Sequence, residues 1–251
     1  MTLVRQPDNN AWGLGRIPDY VLVFLFFYIF FLVNLTANFS GPHDSMGYLN
    51  DILRGRDLFP APHLLYHYMV YLVFHVEKFF FPHATDYYLI EAIDAFWGCM
   101  SLSLVYRIFV RRLQFRKSEA FLATSICAFS FGMWFYCSNI EVYMPPLFFI
   151  LWLLYICSKS QLNTRELILL AVIHMLAVLF HQVNVLLTPI VLWKFWQSRK
   201  EIPFFKTFGL YALSSILVVG GLYFILGWYV ERQNNIQEFS SWIIFISFSL
   251  S

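Results

Sequence analysis

Residues 38–62 read NFSGPHDSMGYLNDILRGRDLFPAP, and where this stretch lies decides the fold. It is polar and acidic, holds His43, Asp44 and several glycines, and directly follows the first long apolar run. Nearly everything around it is apolar. The 251-residue chain is 59% hydrophobic and 21% aromatic but only 13% charged. A soluble domain is nearer 25% charged, so the composition points to an all-α polytopic membrane protein. A net charge of +2 gives no case for nucleic acid. Cys99, Cys127, Cys137 and Cys157 are scattered without the spacing of a zinc or disulfide framework. The first apolar run, 20–33, lacks a small-residue cleavage site and reads as a signal anchor.

A span needs roughly 20 mostly apolar residues. The candidates are Pro18–Ala37, Tyr87–Val110, Glu119–Cys137, Val142–Ser158, Glu166–Phe180, Val183–Gln197 and Lys206–Tyr229. Basic residues orient them. Arg5 and Arg16, the 107–117 cluster, Lys159 with Arg165, and Lys194, Arg199, Lys200 and Lys206 hold 13 of the 17 lysines and arginines. The connections 138–141 and 181–182 hold none. The positive-inside rule then puts the N-terminus in the cytoplasm and residues 38–62 outside. The apolar run His63–Phe81 must begin and end outside, so it is expected to lie flat in the interface. Within it His63, His67, Tyr71, His75 and Lys78 share one helical face. Residues 45–54 are expected to form a second short interfacial helix, ended by Gly55.

The expected architecture is about seven transmembrane helices with two juxtamembrane helices in the first external loop. Residues 1–229 form one transmembrane domain, with the loop at 38–86. Residues 230–251 form an external polar stretch and an incomplete hydrophobic segment, as in a truncated product or a piece of a longer protein. The expected location is a bacterial inner membrane.

The external face collects the residues that could do chemistry: Asp44, His63, His67, Glu91, Asp94, Glu141, His181 and Gln182. Ionisable groups at membrane depth face a bundle interior or an aqueous cavity. Each has a plainer reading. Asp44 reads equally as a helix N-cap, Glu141 as a partner of a helix dipole, and Glu91 and Asp94 as bonds to neighbouring helices. His174, alone in mid-span, reads as a packed core histidine. The i, i+4 pair His63/His67 has the spacing of metal ligands.

The segments HDSMGYLNDILRGRDLF, PAPHLLYHYMVYLVF, SNIEVYMPPLFFILWLLY and LAVLFHQVNVLLTPIVL occur in an order that resembles the GT-C superfamily of integral-membrane glycosyltransferases. Protein O-mannosyltransferases and the aminoarabinose transferases of lipid A belong to it. The resemblance covers about residues 18–196. It implies transfer of a sugar from a polyprenyl-phosphate donor held in the membrane lipid to an acceptor on the external (periplasmic or lumenal) face. Asp44 would be the general base, and Glu141 would shape the acceptor or cation site. His63, Tyr66, His67, Glu91, His181 and Gln182 would meet substrate. The leaving phosphate would take a cationic partner: Arg54, Arg56 or Lys78, or a divalent metal ion on His63, Glu141 and His181. Ser45 stands where relatives often carry a second acid. The rival readings are a non-catalytic scaffold or remnant of that family, and a small transporter whose Glu91 and Asp94 line an ion path.

Overall fold

The computed structural model describes residues 17–35, 43–200, 203–233 and 235–244. Arg5, Arg16, residues 36–42 of the first loop and 245–251 of the last apolar segment lie outside the described residues.

The described chain is helical. In order come α1 (Asp19–Val33), α2 (His43–Arg54), a 3-10 turn (Ala61–His63), α3 (Tyr66–Phe80), α4 (Asp86–Arg111), α5 (Lys117–Ala128), α6 (Phe131–Cys137), α7 (Met144–Cys157) and α8 (Thr164–Phe180). A second 3-10 turn (Gln182–Leu187) leads into α9 (Thr188–Gln197). The helix α10 (Phe204–Val230) contains π turns at Ile216–Gly220 and Leu226–Val230, and α11 (Ile236–Ile244) follows.

Two of these helices, α4 and α10, are long and apolar enough to cross a membrane, or three spans if α5 and α6 count as one. The expected third span is not straight. It bends by 70° between α5 and α6, where Ser130 caps α6 by accepting from the Met133 N–H. The expected sixth span opens as the 3-10 turn and leaves only the 10 residues of α9, with Pro189 in its first turn. Helices α1 and α7 are apolar but 15 and 14 residues long.

Helix α4 is the axis. Val23, Phe27 and Phe31 of α1 pack on Ala95, Cys99, Leu102 and Tyr106 of one side of it. Its other side joins a core with α3, α7, α8 and α9. Gly98 allows the close approach of α6 and α7, since a Cβ there would lie 2.2 Å from Cys137 Sγ. Helix α2 ends as the sequence suggests. Gly55 adopts φ +60°, and the N–H groups of Gly55 and Arg56 return to the carbonyls of Ile52 and Asp51 at 3.2 and 3.0 Å. The capping box of Asn163 and Glu166 opens α8.

Arg107, Arg112, Lys117, Lys159 and Lys194 gather at one end of the bundle. Arg107 lies over the rings of Tyr20 and Tyr155, and Arg112 over Tyr155. Lys117 pairs with Asp19 at 2.6 Å, Lys159 pairs with Glu166, and Lys194 donates to the Lys159 carbonyl at 2.6 Å. These contacts join the start of α1, the end of α4, the start of α5, the end of α7, the start of α8 and the end of α9. The first loop sits at the opposite end.

Helix α3 corrects one expectation. His63 belongs to the preceding 3-10 turn, not to α3, and the expected polar face is split. His63 and His67 are buried, His75 is exposed, and the outward surface of α3 carries Leu72, Val73, Val76, Phe79 and Phe80.

Candidate functional site

The start of α2, the 3-10 turn before α3, the first part of α4, the α6–α7 connection and the end of α8 meet at one point. The Ser45 hydroxyl donates to Glu141 Oε1 at 3.5 Å across 96 residues of sequence. The Tyr66 hydroxyl donates to Asp94 Oδ2 at 2.6 Å, and the Glu141 backbone N–H reaches the same oxygen at 3.2 Å. Asp94 therefore ties α3 and the α6–α7 connection to α4. The Tyr48 ring sits 5.3 Å from that of His63 and 4.9 Å from that of His67, whose rings are 5.0 Å apart. On the other flank Tyr143 stacks on His181 at 5.8 Å.

The electrostatics follow from burial. Glu141 is pushed up to about 7, first by burial and then by the charge of Asp44, against the Ser45 hydrogen bond. Burial pulls His63 down to about 3, with His67 and His181 adding to the effect. Burial also lowers His67 and His181. The phenols of Tyr48 and Tyr66 are held above their ordinary range, by burial first and then by the nearby carboxylates. They remain donors at neutral pH. His67 Nδ1 lies 3.0 Å from the Asp57 carbonyl, which can only accept, so Nδ1 carries the proton and Nε2 is an acceptor. Asp57 adopts φ +46° to present that carbonyl.

No protein family, curated protein or solved structure matches this chain.

The residues singled out in the sequence divide into two groups. Asp44, His63, Tyr66, His67, Asp94, Glu141 and His181 come together. Glu91 is fully buried one turn before Asp94 on α4, and Gln182 is half-buried at the start of the second 3-10 turn. Arg54 and Arg56 are exposed at the far end of α2, about 15 Å from Asp44 at 1.5 Å per residue. Lys78 is engaged elsewhere, with Asp86 Oδ1 at 2.6 Å and the Ala84 carbonyl at 2.7 Å. Among the described residues no three His, Cys, Asp or Glu side chains form a group that could hold a metal ion. His174 is the core histidine that its position suggests, with Nδ1 bonded to Tyr211 at 2.8 Å and Nε2 to the Asn184 carbonyl at 3.1 Å.

Tyr48 and Tyr143 were missed by sequence reasoning, which named Ser45 only for lacking an acid. Tyr48 stands four residues after Asp44 and so on its face of α2, and Tyr143 two residues after Glu141. Spacing from the acids was the available signal.

Proposed function

We propose that the chain is a multi-pass membrane glycosyltransferase of the GT-C type. Its N-terminus and basic end lie inside, about seven segments enter the bilayer, and the site faces outward. The observation that carries this reading is the bond from the Ser45 hydroxyl, next to Asp44 in the first loop, to Glu141 at the entry to α7, at the end of the bundle opposite Arg107 and Arg112. The positive-inside rule puts that end outside.

In the proposed reaction Asp44 takes the proton of the acceptor hydroxyl. The freed oxygen attacks the anomeric carbon of a polyprenyl-phosphate sugar, the bond from that carbon to the phosphate oxygen breaks, and the lipid phosphate leaves with the electron pair. The configuration inverts. Tyr48 and Tyr143 hydroxyls, kept protonated, are the donors on hand for the leaving oxygen. General-base catalysis supplies roughly 100- to 10,000-fold. Asp44→Asn should cost transfer at least about 100-fold in lipid nanodiscs supplied with a polyprenyl-phosphate sugar and a hydroxyl acceptor, with a melting midpoint lowered by no more than about 4 °C because Asp44 is exposed and gives up only its helix-dipole contribution. Undiminished transfer by that variant removes Asp44 as the base.

A further inference from the structure

We propose that α1 and α5 hold an anionic phospholipid at the basic end of the bundle, its phosphate at Lys117 and one acyl chain along α1. The shape of the surface is the first argument. A cleft of about 330 Å³ opens between α1, α4 and α5. Its polar lining is Asp19, Tyr106 and Lys117, and its apolar lining is Leu22, Val23, Phe26 and Phe121. A second cleft, of about 320 Å³, continues along α1 from Phe26 past Ile29 and Val33 to Asn34. Phe26 belongs to both, so the two clefts form one groove. From Asp19 to Asn34 it runs about 22 Å at 1.5 Å per residue. That exceeds the roughly 15 Å of one leaflet's chains, half of the hydrocarbon core. Phe121 meets Phe26 edge-on at 5.6 Å and forms one wall. Leu22 and Phe26 are about half exposed, so the groove opens toward lipid.

Charge at one end of the groove is the second argument. Lys117 pairs with Asp19 at 2.6 Å, but the two side chains are 70% and 47% exposed, and an ion pair that exposed contributes little. An ammonium has three donors, and the bond to Asp19 leaves two for phosphate oxygens. Arg107 and Arg111 stand one turn apart on α4, both exposed and without a carboxylate partner among the described residues. Arg107 lies over the ring of Tyr20, which follows Asp19 on α1. Arg116 and Glu119 pair with each other and add no net charge. The headgroup end is thus cationic and the rest of the groove apolar. An anionic head with a hydrocarbon tail matches both parts, as in other basic pockets between membrane helices at a cytoplasmic face. A free phosphate would leave the apolar part empty, and a neutral headgroup would leave the cations unmatched. The proposal rests on the multi-pass reading with the basic end inside and not on sugar transfer, because Lys117 lies at the end opposite Asp44 and Glu141. Binding alone tests it, so it can fail while transfer stands, or stand while transfer fails.

The full chain in detergent is titrated with phosphatidylglycerol and with phosphatidylcholine of the same acyl chains, and bound lipid is counted by native mass spectrometry. Phosphatidylglycerol should bind about 10-fold more tightly. Lys117→Gln should cut that preference to about 2-fold or less. Asp19→Asn frees Lys117 and removes a like charge from beside the phosphate, so it should widen the preference. Leu22→Trp, at a half-exposed position, fills the groove without changing charge and should weaken both lipids. Arg199→Gln is the control: Arg199 is exposed in the turn after α9 and does not line the groove, so the preference should stay as in the wild type. Equal binding of the two lipids overturns the proposal. So does a preference that survives Lys117→Gln or falls as far in Arg199→Gln, or wild-type lipid binding by Leu22→Trp.

Discussion

Replacing Tyr66 by Phe removes one oxygen from a fully buried side chain and leaves the ring in place. That oxygen donates to Asp94 Oδ2 at 2.6 Å, the shortest bond in the cluster. The carboxyl then keeps the Glu141 N–H, at 3.2 Å, as its other donor. A neutral hydrogen bond contributes about 0.5–1.5 kcal/mol, and a buried acceptor stripped of its donor also costs about 1–3 kcal/mol in desolvation. Tyr66→Phe should therefore destabilise by about 1.5–3 kcal/mol, which is about 3–12 °C in the melting midpoint for a chain of this size. The assay is a thermal melt in lipid nanodiscs followed through the chain's own tryptophans. Asp94→Leu supplies the control. In that background the hydroxyl has no carboxyl to reach, so Tyr66→Phe should cost less than about 0.5 kcal/mol, a coupling of at least about 1 kcal/mol. A wild-type loss under about 0.5 kcal/mol, or the same loss in both backgrounds, would refute the view that Asp94 pins α3 and the α6–α7 connection together.

Gly98→Ala should lower stability by about 1–3 kcal/mol, since the new methyl would meet Cys137 Sγ at 2.2 Å and Met144 Sδ at 3.2 Å; a midpoint that does not move, or no recovery on adding Cys137→Ala, counts against the close packing of α4 on α6. Glu141 should give a pH-dependent difference from Glu141→Gln. Its folded value of about 7 lies above the ordinary carboxylate range, so its contribution is full below the unfolded value and is lost as pH rises through the folded one. Relative to Glu141→Gln the wild type should lose at most about 3 kcal/mol between pH 4.5 and 7.5, and parallel stability–pH curves would exclude a buried Glu141.

How much of this was legible depends on which physics each feature obeys. The gathering of Asp44, Glu141 and His181 at one end follows from the positions of Arg107–Lys117, Lys159 and Lys194, because lysines and arginines mark bundle ends however the helices bend. Helix breaks are local and escape a hydropathy window. The single Ser130 turns a 19-residue apolar stretch through 70°, because its hydroxyl caps α6 and also donates to the Cys127 carbonyl at 2.7 Å. Pro189 likewise announced the start of α9, but the apolar run across it was read as continuous. The His63/His67 pairing was read from i, i+4 spacing on one helix. The two ring centroids do lie 5.0 Å apart, although His63 belongs to the 3-10 turn before α3.

Asp44 had two readings in the sequence, a cap or a base. It stands in the first turn of α2, where its charge favours the helix dipole, and that alone accounts for its presence. The dipole does not account for its neighbours. Asp94 needs no helix end, since it lies well inside α4, and Glu141 precedes α7 by three residues, with Tyr143 between. Replacing buried ionic groups by apolar side chains of equal volume is often neutral or stabilising. Packing and capping thus explain each of these acids singly. The proposed transfer explains why all three are drawn from separate elements to one end of the bundle.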